Sequence, residues 1–521
     1  MHEMFPAGMS FTATDIVVSV TTLVCFTILY KESEKKSLSL PPGPHRWPVI
    51  GSLLSMPSDN NMRETFAEWK QKYGDVVYAR VLGQDIVLLN SREAALELLE
   101  RRSSKYSDRP RLVMASELVG WGDCLAIMRY GERHKRMRKL FHEGLSPKAI
   151  EKLGHMLEDE MSRFARKLLE TPEDLHKHAR YATNAAVLKV IYGYSVKDKC
   201  DPILTKAEEA INMFSYVTLP GMWLVDSFPV LKYLPWAPFK SKAREWKKLV
   251  QECVDMPADF TTEQMVQGKC EPCLISKWFE QADEQPGGKT SEADHFIRWT
   301  GTSIYGAATD TQTVSSIQTF FLAMVYSPEA QKAAQTEIDH IIGNNRLPKL
   351  SDRDSLPYVE AVYKEVLRWQ PVAPFAIPHT LEADDDIYHG MRIPGGCVLV
   401  PNIWGMSRDP TVYQDPETFK PERFMSTVTH EAELDSQSFI FGFGRRRCPG
   451  IHLAQSTLWL AIATVLAVYD ITPVLDTDGR PVMPSLKYSQ SSISAPNPFQ
   501  CTITPRTSRT EKIIQDSAIE A

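Results

Sequence analysis

A short loop near the C-terminus, from Phe441 to Gly450, places one cysteine among glycines and arginines. Cys448 follows three consecutive arginines, and the segment Ile451 to Val468 behind it is apolar enough to form a buried helix. Glycines allow turn conformations, so the loop can aim successive N–H groups at one sulfur, and the helix start favours negative charge there. A free cysteine titrates near ~8.5, so holding this sulfur as a thiolate requires a cation or a metal.

The loop resembles the haem-ligand loop of the cytochrome P450 family, Phe-x-x-Gly-x-Arg-x-Cys-x-Gly. The matching positions are Phe441, Gly444, Arg446, Cys448 and Gly450, and the small residue that the family has in the following helix is Ala454. The resemblance implies that Cys448 is the axial thiolate of a haem b iron, a ligand that favours O–O bond cleavage. The residues alone leave one alternative, a buried structural cysteine in a basic loop.

A second motif, Glu365-x-x-Arg368, places a carboxylate and a guanidinium three residues apart. On a helix these positions share a face, so the two groups can meet. The pattern is common by chance, but the apolar neighbours Val366 and Trp369 indicate burial. The resemblance implies that Arg423, in Pro-Glu-Arg-Phe further along the chain, joins the pair in a buried charge network.

Four basic residues stand where the family binds the haem propionates. The resemblance assigns this role to Arg138, Arg446 and His379. His134 replaces the tryptophan that the family usually has. Its ring N–H could donate to a propionate or the side chain could face solvent, and the sequence leaves both alternatives open.

The segment 295–326 is predicted to form one long helix, and its centre departs most from the family pattern Ala/Gly-Gly-x-Asp/Glu-Thr-Thr/Ser. In the family an acid–alcohol pair at this place delivers protons for oxygen activation. We expect Asp310 and Thr311 to be that pair, which keeps both functional groups but loses the glycine. A register one residue later would put Thr311 and Gln312 in their place, and ordinary helix packing is a third interpretation.

The N-terminus carries an apolar run, Ile16 to Tyr30, of about the ~20 residues needed to span a bilayer. Residues 1–15 contain no Lys or Arg, which argues against a cleaved signal peptide. Basic residues follow the run, so the C-terminal side is predicted to be cytoplasmic. We therefore predict a membrane anchor over 1–30 and a basic, proline-rich hinge over 31–50; the resemblance to microsomal members implies a single-pass protein of the endoplasmic reticulum membrane.

The remaining chain is predicted to form one mainly α-helical domain with a small β-sheet region over residues 51–506, followed by a polar tail over 507–521. Apolar spacing predicts helices over 61–73, 92–100, 147–169 and 327–342. Alternating or β-branched stretches predict strands over 76–82, 86–89 and 397–401. The resemblance implies the haem-thiolate fold of the family.

Charge and cysteine content limit the partners. The net charge of −6 argues against nucleic acid. The nine cysteines are an odd number without a tight framework, which favours reduced thiols. Cys270 and Cys273 form a C-x-x-C pair, but neither a second pair nor a thioredoxin-like setting is visible. We interpret this pair as a coincidence of a surface loop.

The resemblance implies a monooxygenase that hydroxylates, epoxidises or desaturates a lipophilic small molecule with O2 and electrons from NADPH–cytochrome P450 reductase. The stretches 352–369 and 394–424 look like the fungal branch that serves secondary metabolism. Expected substrate-facing segments are 107–127, 304–308, 372–377 and 488–493. An oxygen-independent haem-thiolate isomerase or dehydratase is the alternative, and a non-catalytic haem sensor is a third hypothesis.

Overall fold

The structure is a computed structural model that describes residues 38–57, 61–197, 201–219, 221–285, 288–309, 312–428, 431–489 and 493–516. The anchor predicted over 1–30 lies outside these residues, as do Asp310 and Thr311. Within the described part the chain is mainly helical with small sheets, as predicted.

The longer helices surround a common apolar core. They are α1 (Met62–Tyr73), α2 (Glu132–Leu145), α3 (Gly154–Glu170), α4 (Leu175–Tyr192), α5 (Pro202–Val217), α6 (Phe239–Val266), α7 (Leu274–Asp283), α8 (Ser291–Thr309), α9 (Gln312–Tyr326), α10 (Pro328–Ile341), α11 (Pro357–Trp369), α12 (Ile451–Val468) and α13 (Ser508–Asp516). Shorter α-helical segments are Arg92–Ala95, Ser103–Tyr106, Pro147–Lys152, Leu224–Ser227, Ile403–Ser407 and Gln437–Ile440.

Tighter and wider helical turns occupy the connections. Turns of the 3-10 type are Leu53–Ser55, Trp121–Asp123, Pro172–Asp174, Pro229–Tyr233, Leu350–Ser355, Pro421–Phe424 and Gly444–Arg446. Wider π-type turns are Leu96–Arg101 and Val113–Val119. These two π-type turns lie on either side of residues 102–112, a segment that includes Ser107, which accepts a hydrogen bond from the cysteine loop.

The largest sheet has four strands in the order β1 (Val76–Val81), β2 (Gln84–Leu89), β6 (Val398–Pro401) and β3 (His379–Thr380). β1 and β2 form an antiparallel hairpin, and β6 joins β2 in parallel from far along the chain. Smaller antiparallel pairs join β4 (Asp386–Tyr388) to β5 (Met391–Ile393), β7 (Tyr469–Thr472) to β10 (Thr502–Pro505), and β8 (Val474–Leu475) to β9 (Pro481–Val482).

Helix boundaries differ from the predictions at three places. The helix expected over 92–100 changes to a π-type turn at Leu96, and the helix expected over 147–169 is interrupted at Leu153, before Gly154. Glycine is a weak helix former, which explains a new start there. Helix α8 begins at Ser291, earlier than expected, because the Thr290 hydroxyl accepts the Ala293 N–H and acidic residues occupy the first turn.

Helix α12 forms the centre of the core. Among the described residues it is the one helix whose length and composition would suit a membrane span, but 72% of that stretch is buried inside the protein. It contacts α3, α9, α10 and α11, so it is a core helix. Helix α13 packs against α3 and α12 and buries Thr510 and Ile514, which extends the fold beyond the predicted boundary at residue 506.

The cysteine loop lies against the π-type turn Leu96–Arg101, and one glycine permits that approach. Gly444 has φ +53°, and an added Cβ would lie 2.2 Å from the carbonyl oxygen of Leu99. Gly442 also has a positive φ, of +78°, but the nearest atom to its added Cβ is 3.9 Å away. The two glycines therefore share the backbone constraint and differ in the space available.

We predict that Gly444→Ala lowers the free energy of unfolding more than Gly442→Ala. Both substitutions force an alanine into the left-handed region, at a cost of about 1–2 kcal/mol. Gly444→Ala must additionally displace the backbone at Leu99. Urea unfolding of the two variants measures the difference, and equal losses would contradict the close approach.

Candidate active site

Cys448 occupies a loop that the backbone closes on itself. Its N–H donates to the carbonyl oxygen of Phe441 at 2.8 Å, and Gly450 provides the N-cap of α12. The Cys448 side chain accepts the backbone N–H of Gly450. Burial raises the pKa of the Cys448 thiol, and the Gly450 hydrogen bond with the charges of Arg138 and Arg447 opposes that rise only in part. The chain alone therefore favours the thiol, and a thiolate needs a further positive partner.

Cys448 has the character of a single protein ligand. Across the described residues, no three or more His, Cys, Asp or Glu side chains cluster closely enough to hold a metal ion. One thiolate without companion side chains suits a metal whose other positions are filled by a non-protein chelator such as a porphyrin. The donor set at Cys448 therefore fits haem better than a bare ion.

Two arginines near this loop are buried and bonded to neutral groups. Arg446 donates to the carbonyl oxygens of Ser107 and Met128, both at 2.7 Å. Arg109 donates to the carbonyl oxygen of Ile377 at 2.7 Å. These contacts orient both guanidinium groups, and neither group has a hydrogen-bonded carboxylate within the part of the chain that the structure describes.

Electrostatics around the two arginines reflect this excess of positive charge. Burial is the main cause that lowers the pKa of Arg446 to about 10, and burial together with the Arg446 charge lowers that of Arg109 well below its usual value. The charge of Asp108 raises the pKa of both arginines, but the Asp108 carboxylate is itself paired with Arg129. A dianionic ligand would compensate the cluster, and the two propionates of haem supply that charge.

The three other predicted propionate ligands adjoin the same cluster. His134 is 2% exposed, so the solvent-facing alternative does not hold, and its Nδ1 finds no hydrogen-bond partner among the described residues. Burial and the nearby arginines lower the pKa of His134 to about 3, so its ring is neutral. Arg138 donates to the carbonyl oxygen of Arg447, and His379 Nδ1 lies 2.7 Å from the carbonyl oxygen of Tyr106.

Helix α8 has an open face near its C-terminal end. Ile304 and Tyr305 are buried, whereas Ala307 is exposed, and no atom of the described residues lies within 4 Å of a Cβ added to Gly306. The opening coincides with the segment 304–308 that was expected to face substrate. Space of this kind beside a core helix suits a flat macrocycle and a small molecule.

A separate cluster contains the predicted Glu365–Arg368–Arg423 set. Arg368 donates to Glu365 through Nε at 2.7 Å and through Nη2 at 2.9 Å, and Arg423 Nε donates to Glu365 at 3.1 Å. None of the three side chains is more than 1% exposed. Arg423 also pairs with Glu433 at 2.7 Å. Two guanidinium groups thus meet two carboxylates, so this network is compensated by the chain itself.

The remaining predicted residues are placed as follows. Phe441 is buried, and Ala454 is half-buried in the first turn of α12. Arg109 and Glu433 were not predicted from the sequence. Arg109 lies in a polar stretch with charged neighbours on both sides, and no sequence pattern marks either residue.

Comparisons with known proteins match this architecture. A family model described as Cytochrome P450 matches residues 41–502. Cytochrome P450 monooxygenase 208 of Postia placenta is 42% identical, over 97% of this chain and 98% of its own length. Cytochrome P450 monooxygenase claR of Ampulloclitocybe clavipes is 39% identical, over 97% and 93% respectively. A cytochrome P450 monooxygenase of Armillaria gallica is 39% identical over 93% and 95%.

The chain therefore belongs to the cytochrome P450 family and is a haem-thiolate monooxygenase. Enzymes of this family take electrons from a redox partner and act on small molecules.

We predict that Glu365→Ala destabilises the protein by about 3–5 kcal/mol and lowers its haem content, because Arg368 and Arg423 would remain buried without their shared carboxylate. Denaturant unfolding and the haem-to-protein absorbance ratio measure the two effects.

Glu360→Ala in the same helix is the matched control. Glu360 pairs with Arg353 at 2.8 Å, but both side chains are about a quarter exposed (25% and 24%), so we expect a loss of only ~0–1 kcal/mol. Equal effects of the two substitutions on the free energy of unfolding and on haem content would contradict the stabilising role of the buried Glu365 network.

Proposed function

We propose that Cys448 is the axial ligand of haem b. The haem propionates would be held by Arg138, Arg446, His379 and His134. We add Arg109 to this set. The observation that carries the proposal is a buried pair of arginines, Arg446 and Arg109, that donate to carbonyl oxygens and to no carboxylate among the described residues, beside the half-buried Cys448. Bidentate guanidinium–carboxylate pairing is the strongest contact available to such groups.

The proposed reaction is oxidation of a lipophilic small molecule by hydroxylation, epoxidation or desaturation. Bound haem supplies the reductive activation of O2, with one oxygen atom transferred in a hydroxylation and the other leaving as water. Asp310 and Thr311 move the protons that this chemistry consumes. Ala307 and the 42% exposed Ile377 lie in two of the segments expected to face substrate, and their apolar side chains favour an apolar substrate.

The electrons are proposed to come from NADPH through cytochrome P450 reductase at the endoplasmic reticulum membrane. Residues 1–30 serve as the single-pass anchor, 31–50 as the hinge and 51–506 as the cytoplasmic catalytic domain. Fungal secondary metabolism is the proposed context, supported by the fungal sources of the relatives.

An oxygen-independent isomerase or dehydratase is the second candidate. It is favoured by the departure of the 307–313 sequence from the family pattern, since no glycine stands beside the acid. Such an enzyme would turn over without NADPH, whereas a monooxygenase requires it. Turnover with and without NADPH and reductase separates the two.

We predict that Cys448→Ala removes the red-shifted Soret band of the reduced carbon monoxide complex, because that band requires thiolate ligation. Cys501→Ala, at a half-buried free cysteine, should keep it. An unchanged band in Cys448→Ala would contradict the assignment.

Proton delivery distinguishes the two registers of the distal helix. If Asp310 and Thr311 are the acid and the alcohol, Thr311→Ala should lower the product formed per NADPH several-fold and raise peroxide release, because a group that delivers protons is lost. Gln312→Ala should change this ratio little. A large loss of coupling in Gln312→Ala with little change in Thr311→Ala would instead support the register one residue later, in which Thr311 and Gln312 take these two places.

Deletion of residues 1–30 should shift the protein from the membrane to the soluble fraction and leave the haem spectrum unchanged. The first described residues contact the body of the protein: the Arg392 N–H donates to the Ser39 carbonyl oxygen and the Tyr78 N–H to the Pro42 carbonyl oxygen, both at 2.9 Å. These contacts survive the deletion. Loss of haem on deletion would mean that residues 1–30 belong to the core.

A further inference from the structure

The C-x-x-C pair lies between α6 and α7, outside the site described above. Cys273 is the N-cap of α7: its Sγ accepts the Ser276 N–H at 3.4 Å, and the Ser276 hydroxyl accepts the Cys273 N–H at 3.2 Å. This reciprocal pair of hydrogen bonds is a capping box with sulfur as one acceptor. The Cys273 thiol is therefore held in one position at the start of the helix.

The two thiols are neighbours. The Cys270 and Cys273 side chains are close enough to interact electrostatically, and the Cys270 thiol donates to the carbonyl oxygen of Glu271 at 3.3 Å. Cys270 is half-buried, whereas Cys273 is 9% exposed. Both are free thiols. The interpretation of the spacing as a coincidence does not account for this proximity.

The loop that carries the pair is fixed to the end of α4. Glu271 pairs with Lys189 at 2.5 Å. Gly193, which has φ +66° at the C-cap of α4, has so little space that an added Cβ would lie 3.6 Å from the Cys273 Cβ and 3.2 Å from the Glu271 carbonyl oxygen. A loop restrained on both sides keeps the two sulfurs together at little further entropic cost.

We propose that Cys270 and Cys273 are a reversible oxidation site that closes to a disulfide with hydrogen peroxide as the oxidant. The Cys270 sulfur attacks one peroxide oxygen, the O–O bond breaks, and water leaves with formation of the Cys270 sulfenic acid. The Cys273 sulfur then attacks the Cys270 sulfur and releases a second water. Two thiols and one peroxide thus become one disulfide and two waters, and a reducing dithiol reverses the change by exchange.

The order of the two steps follows from accessibility. Cys270 is the more exposed thiol, so peroxide reaches it first. Burial, with the Cys270 contact, raises the pKa of the Cys273 thiol, which makes it a poor first nucleophile. Because Cys273 lies three residues from Cys270 on the same restrained loop, it can still react with the Cys270 sulfenic acid.

The sequence makes the test direct, because Lys269 and Lys277 place both cysteines in one tryptic peptide, residues 270–277. The reduced full-length holoenzyme is exposed to hydrogen peroxide, alkylated and digested. The expected product is this peptide without alkyl groups and lighter by two hydrogen atoms than the dithiol, several-fold enriched over the untreated sample and lost after dithiothreitol. The Cys501 peptide should remain alkylated.

Two variants test the assigned order. Cys273→Ser should accumulate a Cys270 sulfenic acid that dimedone traps several-fold more than in the wild type, because the resolving thiol is absent. Cys270→Ser should leave Cys273 alkylatable after denaturation. A peptide that stays a dithiol, a Cys270 that proceeds to sulfinic acid in the wild type, or a disulfide to another cysteine would each overturn the proposal. None of these readouts depends on monooxygenase activity.

Discussion

Buried positive charge without a hydrogen-bonded carboxylate is the constraint on which the proposed site depends. Arg446 and Arg109 are held by carbonyl oxygens, and Asp108, the acidic group that affects both, is paired with Arg129. An uncompensated buried charge costs several kcal/mol, so an anionic ligand bound here, as proposed, would stabilise this part of the fold. Arg446 bonds the 107–128 segment and Arg109 the 377–378 carbonyls, so the proposed ligand would also favour the ordering of these distant segments.

In the Glu365 network, by contrast, buried positive charge is neutralised by carboxylates of the chain itself. Arg368 and Arg423 are as deeply buried, but Glu365 and Glu433 neutralise them within the chain. Arg368 also donates to the carbonyl oxygen of Ser407 at 2.8 Å, which ties α11 to the segment after β6. The Glu365 network is therefore neutralised within the core, whereas the Arg446 and Arg109 cluster is the one that we propose a ligand completes.

Local patterns made part of this structure predictable. Helix α1, strands β1, β2 and β6 and the face shared by Glu365 and Arg368 follow from spacing within a few residues, which a sequence displays directly. Arg109 was missed because its partner Ile377 lies 268 positions away, and Glu433 because it meets Arg423 from an irregular loop. The burial of His134 likewise depends on packing between elements distant in sequence. The spacing of Cys270 and Cys273 was visible, but the restraint of their loop by Gly193 and Lys189 was not.

Iron K-edge X-ray absorption of the full-length holoenzyme tests the central claim most directly, since it reports the atoms bound to the metal without any substitution. Ligation by Cys448 predicts a sulfur neighbour of the iron beside the nitrogens of the macrocycle. An iron coordinated only by nitrogen and oxygen would contradict it.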